Sequence, residues 1–321
     1  CVTGESGMVF IETASPLRSV SAEINQDENI TAIATNGKRL LLADTRLRQW
    51  QPGTEAPALI SDELGQITDM RYVPNIGFLI ASQYGLYRYR NRPEGQLKQL
   101  HPGQAYRIHA SAEENMLYAL IDNAAYHLQF DNEGALLQAD RLINFEERIY
   151  TLTEDSLGNL WAGAGGRGFL RLSPLGKSFT EGDIAVQRYD STRGVPPGGF
   201  NFTFRALGSV GFITEEGIYR YDAETDRLRP DMRFAEAFQD DKMRTWPVQE
   251  DSLGRIWMDF GARKFGYLDT GRPDENGRFP WVTAPFKRAG DVPDISSIRV
   301  TDRGVFFSGG PEISFISRQQ L

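Results

Sequence analysis

The chain has 321 residues, with 35 Lys and Arg against 43 Asp and Glu, for a net charge of −8. An acidic chain lacks the broad basic face that a phosphate backbone requires, which excludes nucleic acid as a bulk partner. The single cysteine, Cys1, excludes disulfides and thiolate metal sites within the chain, and no apolar run reaches the ~18 residues that span a bilayer.

In chain order, an alternating apolar run at 8–11 is the first expected strand. First strands of repeating units are then expected near Ile30, Ile67, Ala105, Arg148, Phe200, Arg244 and Ile295. In the best-preserved unit, 149–153 alternates as a strand, and Glu154-Asp155-Ser156-Leu157-Gly158-Asn159 follows as a turn. Asp and Ser side chains bond to nearby backbone amides there, and Gly or Asn takes positive φ. Residues 160–163 form the second strand, a run led by Gly168 the third, and 186–189 the fourth. The last unit has three candidate strands, at 295–300, 305–308 and 313–317. Residues 8–14 are therefore expected to close it as the fourth, which protects two sheet edges.

The units repeat. Glu154-Asp155-Ser156-Leu157-Gly158-Asn159-Leu160-Trp161 recurs as Glu250-Asp251-Ser252-Leu253-Gly254-Arg255-Ile256-Trp257, at an offset of 96 residues. Gly85, Gly168 and Gly217 each lead an alternating third-strand run, with a weaker copy at Gly266, at gaps of 83, 49 and 49. A period in the forties with two-residue alternation inside it is the mark of propeller blades. Seven units of about 46 residues give an all-β fold, a single seven-bladed propeller with four antiparallel strands per blade.

The blade pattern, an acidic turn followed by Leu160-Trp161 or Ile256-Trp257 and then a Gly-led strand, resembles the two-component regulator propeller repeat. Units 148–189 and 244–269 match well, 78–90 and 212–222 match in the third strand, and 30–60 and 105–147 are degenerate. Tyr189-Asp190-Ser191-Thr192-Arg193-Gly194-Val195-Pro196 resembles the family's inter-blade segment, with Val in place of Leu. The resemblance implies a periplasmic or extracellular sensor domain of a signalling protein, with any kinase or cyclase activity outside this chain and a possible homodimer in the full-length sensor. The family's large sensors pair two propellers with a sandwich domain and a membrane helix, whereas this chain holds one propeller. A membrane link is then expected through an anchor beyond this sequence, or through a lipid on Cys1 as in bacterial lipoproteins. A sequence boundary at Cys1 is the alternative.

Several chemical motifs fail on context. Gly163-Ala164-Gly165-Gly166-Arg167-Gly168 fits a dinucleotide fingerprint, yet a strand-like run follows it rather than a helix, so a hairpin is expected and no cofactor. His101, His109 and His127 lack a metal-ligand spacing, and no nucleophile elbow is present. Glu154-Asp155 and Glu250-Asp251 occupy the same place in a repeated turn, which assigns them to the turn rather than to catalysis. Trp161 and Trp257 share one blade position and are expected between neighbouring sheets.

Residues that break the repeat are the candidates for function. On the face carrying the second-to-third-strand loops and the inter-blade loops lie Tyr84, Arg107, Arg148, Arg167, Arg193, Asn201, Arg244, Trp246, Arg263 and Lys264. Aromatic faces stack on sugar rings and Arg forks hold carboxylates, so the expected ligand is a carbohydrate or anionic oligosaccharide, bound without catalysis, with no metal. The bland reading makes Arg107, Arg148 and Arg244 solvated strand-start charges or inter-blade links. Two other functions stand beside the sensor: a scaffold binding another protein, and a metal-dependent lyase, since streptogramin lyases carry a similar Asp-x-x-Gly-x-Leu-Trp turn.

Overall fold

One aspartate organises each repeated turn. Asp155 Oδ1 accepts the Leu157 and Asn159 amides, both at 2.9 Å, and Oδ2 accepts the Trp161 indole N–H at 2.8 Å. Asp251 repeats this with the Leu253 and Arg255 amides at 2.8 and 3.0 Å and the Trp257 indole at 2.9 Å. Gly158 and Gly254 hold φ of +79° and +78°, where a side chain would be strained. The preceding glutamates reach the neighbouring blade: Glu154 accepts the Ser111 hydroxyl and the Ala112 amide, and Glu250 the Leu207 amide. A motif that closes its own turn, anchors its own indole and caps the blade before it recurs for structural reasons.

The chain, in a computed structural model, is described for residues 2–4, 7–9, 17–19, 29–51, 57–90, 96–176, 179, 183–238, 245–259, 265–283, 295–301, 303–309 and 312–320. Seven antiparallel four-stranded sheets follow one another, at 32–61, 67–101, 105–144, 151–189, 202–230, 248–282 and 295–317. They form a seven-bladed β-propeller. The first strands open at Ala32, Ile67, Ala105, Thr151, Phe202, Val248 and Ile295, at most four residues from the positions read in the sequence.

The fourth strand of blade 7 is Leu17–Ser19, antiparallel to Glu312–Ser317 with Leu17 opposite Ile316. This corrects the expectation for 8–14. Gly7–Val9 pairs instead with Val2–Gly4 in a separate two-stranded sheet, and residues 10–16 lie outside the described residues. Alternation marks 8–11 as a strand but does not choose its partner, and a local hairpin closes at less entropic cost than a contact across the chain. The short run at 17–19 has too little pattern to announce itself.

Burial follows radius within the blade. Second strands such as Leu40–Ala43, Leu160–Gly163 and Ile256–Asp259 are buried throughout, while the fourth strand Gln96–His101 has no buried residue. First strands of neighbouring blades touch around the axis. Among the described residues, seven apolar clusters lie one between each pair of neighbouring blades. Trp161, Phe169 and Phe212 join blades 4 and 5. Trp257 and Phe307 join 6 and 7, and Ile30, Ile33 and Phe306 join 7 back to 1. Both repeated tryptophans are fully buried there. The glycine-rich hexapeptide at 163–168 is the hairpin between Leu160–Gly163 and Phe169–Pro174, tightened by a 3-10 turn at Gly165–Arg167.

Candidate functional site

The residue at the entrance of each first strand decides the shape of the axial channel. Thr31, Tyr150 and Trp246 occupy equivalent places, since each backbone N–H bonds the carbonyl of the last second-strand residue: Ala43, Gly163 and Asp259. In blades 2, 3 and 7 a bulge puts Thr68, Tyr106 and Ser296 at this level. Three of these residues are small hydroxyls that staple a blade to the next. Thr31 donates to Ile67 O at 2.8 Å, Thr68 to Ala105 O at 3.1 Å, and Ser296 to Ile30 O at 2.6 Å. Blades 3, 4 and 6 carry aromatics instead, Tyr106, Tyr150 and Trp246. The mouth is therefore asymmetric, closed by staples on one side and lined by rings on the other.

Two arginines complete the aromatic side. Arg107, from blade 3, lays its guanidinium 5.0 Å from the Trp246 ring centroid of blade 6 and donates through Nε to Tyr150 O at 3.2 Å. Arg148 lies 5.6 Å from the Tyr106 ring and 5.4 Å from that of Tyr150, with no ion pair among the described residues. Phe202 bridges Tyr150 and Trp246 at 5.7 and 5.2 Å, with Phe200 tilted against it at 4.2 Å. A guanidinium over an aromatic face is attracted by the ring quadrupole while its N–H edge stays available to a carboxylate.

The mouth opens into a channel of about 520 Å³, whose lining includes Arg107 and Trp246. Arg71, Arg107, Arg205 and Arg299 line it against Asp69 and Glu250, an excess of cations in an acidic protein. Asp69 is committed: Oδ1 accepts Arg299 at 3.0 Å and Oδ2 the Ile108 amide at 3.0 Å. Burial, then the nearby Arg71 and Arg205, press the pKa of His109 down to about 3, so its ring is neutral.

Beside the mouth, between blades 4 and 5, a cleft of about 420 Å³ is lined by Gly166, Arg167, Arg188, Asp190, Pro197 and Asn201, among others. Arg167 is exposed, and Arg188 braces the hairpin by donating to Arg167 O at 3.1 Å. Asn201 is buried; its Nδ2 donates to Gly165 O, while Oδ1 has no donor among the described residues.

Of the residues singled out in the sequence, Arg107, Arg148 and Trp246 meet at the mouth, and Arg167 and Asn201 at the cleft beside it. Tyr84 is exposed in the two-residue turn of blade 2, and its carbonyl accepts from Gln99 at 2.9 Å. It is absent from the linings of channel and cleft. Arg193 turns away as well. It bonds Asp226 and lies 5.4 Å from the Tyr189 ring, serving the junction of blades 4 and 5. Arg244, Arg263 and Lys264 lie outside the described residues. Tyr106, Tyr150, Phe202, Arg71, Arg205 and Arg299 were missed by sequence reasoning. The available signal was the change from Thr and Ser to aromatics at one repeated position.

The described residues hold no group of three or more His, Cys, Asp and Glu arranged to take a metal, and no helix long and apolar enough to cross a membrane. No known family profile matches the chain, and no curated protein resembles it in sequence. Solved structures do resemble it. The extracellular domain of a putative hybrid two-component system of B. thetaiotaomicron, BT3049, has a TM-score of 0.66 at 12% identity over 91% of this chain, which spans 39% of that one. A YCF48 structure bound to a D1 peptide has a TM-score of 0.67 at 11% identity, covering 95% of this chain and 96% of that one. Virginiamycin B lyase from Staphylococcus aureus has a TM-score of 0.62 at 13% identity, covering 94% and 98%. The shared property is the propeller. At such identities the relationship to two-component sensors is a distant one of fold, and propellers of several functions share it.

Proposed function

We propose that this propeller is a non-enzymatic binding domain of an extracytoplasmic signalling protein, and that its ligand is an anionic oligosaccharide taken at the axial mouth. The observation that carries the reading is Arg107, which crosses from blade 3 to the Trp246 ring of blade 6 and bonds Tyr150 O on the way. A sugar ring stacks on the exposed Tyr150 face while Arg148 and Arg107 pair with its carboxylates. The likeness to the extracellular domain of a hybrid two-component system supports the sensor role. Transmission then requires that the ligand prefer one of two conformations of the full-length protein.

The test is calorimetric titration with uronate oligosaccharides and their neutral counterparts. Binding of the charged series, weakened about tenfold in Arg148→Ala, supports the reading, because a lost charge-assisted bond is worth about 1.4 kcal/mol or more. Equal binding of neutral sugars, or none of either, overturns it. A second reading, a peptide lying across the same face, is favoured by the cleft at Asn201, whose Oδ1 calls for an N–H donor, and by the likeness to a YCF48 that was bound to a D1 peptide.

A further inference from the structure

The channel's far end is built differently from its mouth. Arg71 from blade 2, His109 from blade 3 and Arg205 from blade 5 line it together. Arg205 Nη1 donates to Glu154 O at 2.9 Å, and the Glu154 amide donates to His109 Nε2 at 3.1 Å. An imidazole that is neutral and accepts at Nε2 carries its proton on Nδ1, which makes that nitrogen a donor. Arg71 is exposed, and its guanidinium has no ion pair or hydrogen bond among the described residues.

The carboxylates nearby are already engaged. Glu154 takes the Ser111 hydroxyl and Ala112 amide, Glu250 takes the Leu207 amide at 2.9 Å, and Asp69 takes Arg299. Neither arginine has an ion-pair partner among the described residues, and the cavity they share is lined by four guanidinium groups against two carboxylates, Asp69 and Glu250. Holding like charges together in a partly enclosed space is costly unless an anion enters between them.

We propose that this lower chamber binds a tetrahedral oxyanion, the phosphate or sulfate group, held by the guanidinium forks of Arg71 and Arg205 and by the Nδ1–H of His109. Three donors from three blades suit an ion that presents acceptors in several directions. The site shares one channel with the mouth but uses other side chains, and it does not rest on what the mouth binds. Occupation also links blades 2, 3 and 5, so binding raises the resistance of the ring to unfolding.

The experiment is a thermal-shift and calorimetric titration of the whole chain with inorganic phosphate, sulfate and a sugar phosphate, each against sodium chloride of equal ionic strength. A melting temperature raised by the oxyanions but not by chloride is expected, with affinity at least about tenfold weaker in Arg71→Ala. Arg71 makes no side-chain hydrogen bond or ion pair among the described residues, and Arg272→Ala, at an exposed turn, controls for net charge. Response to the sugar phosphate but not to the free ions places the anion on a larger ligand. In ¹⁵N spectra, the His109 titration moves upward when the anion is present. No oxyanion response beyond chloride for any of the three, or full response in Arg71→Ala, overturns the proposal.

Discussion

Arg299 of the last blade donates to Asp69 of the second at 3.0 Å, passing over the first blade, whose Ile33 carbonyl it also bonds at 2.7 Å. A further bond to Met70 O, at 2.9 Å, leaves one guanidinium holding three blades at the junction where the chain's two ends meet. Asp69 in turn holds the Ile108 amide of blade 3. The ring is thus fastened from within the channel by side chains as well as at its rim by strand pairing.

Removing Arg299 strands the Asp69 carboxylate. Arg299→Ala is expected to lower stability by about 3 kcal/mol, the usual cost of leaving one member of a buried pair. Arg299→Lys restores the charge but not the fork, and recovers less than the full loss. Urea unfolding of both variants, and of the double variant with Asp69→Asn, measures this; the combined loss is expected to fall short of the sum.

His109 sets a pH dependence near neutrality. Its folded pKa, about 3, lies below the ordinary value of 6.5, so the folded state binds fewer protons than the unfolded. Stability from this group is complete above about pH 6.5 and is lost as pH falls toward 3. The urea midpoint is expected to drop between pH 7.5 and 5 in the wild type, and to drop less in His109→Gln.

Asp226 acts in a lower window. Burial raises its pKa, but hydrogen bonds from Tyr189, Tyr221, Arg193 and Gln187 outweigh it and hold the value at about 2. Its contribution is present above the ordinary carboxylate pKa near 4 and is lost as pH falls through 2. Asp226→Asn is expected to melt earlier at pH 6 and to show a shallower acid limb in thermal denaturation between pH 4 and 2. Arg193→Ala should share the first effect without impairing ligand binding at the mouth, since Arg193 faces Asp226.

Strand pairing at the N-terminus makes a truncation test. Deletion of residues 1–9 leaves the blade 7 sheet intact, and a melting temperature close to that of the whole chain is expected. Deletion of 1–22 removes Leu17–Ser19 and bares the edge of Glu312–Ser317. A lower melting temperature or a dimer in sedimentation is expected for that variant alone.

The number of blades, their strand order and the turn chemistry were open to reading in the amino-acid sequence. They arise from local causes that recur: Asp155 and Asp251 each bond amides two and four residues on and an indole six residues on. A local cause repeated along the chain becomes a visible period. The site was legible in part. Trp246 stood out as a departure from the repeat and Arg107 and Arg148 as candidates at strand starts, yet Arg193 stood out as well and serves a junction between blades. Two things were left to tertiary structure. One is which strand closes the ring, because Gly7–Val9 and Leu17–Ser19 differ in partner rather than in pattern. The other is the gathering of residues far apart in the chain, Arg107 on Trp246 and Arg71 and Arg205 in one lining. Circular closure sets blades 3 and 6, or 2 and 5, across one narrow axis, and no local spacing encodes that distance. The acidic composition that argued against nucleic acid describes the surface, whereas the channel's cationic lining exists only once seven strands are gathered around it.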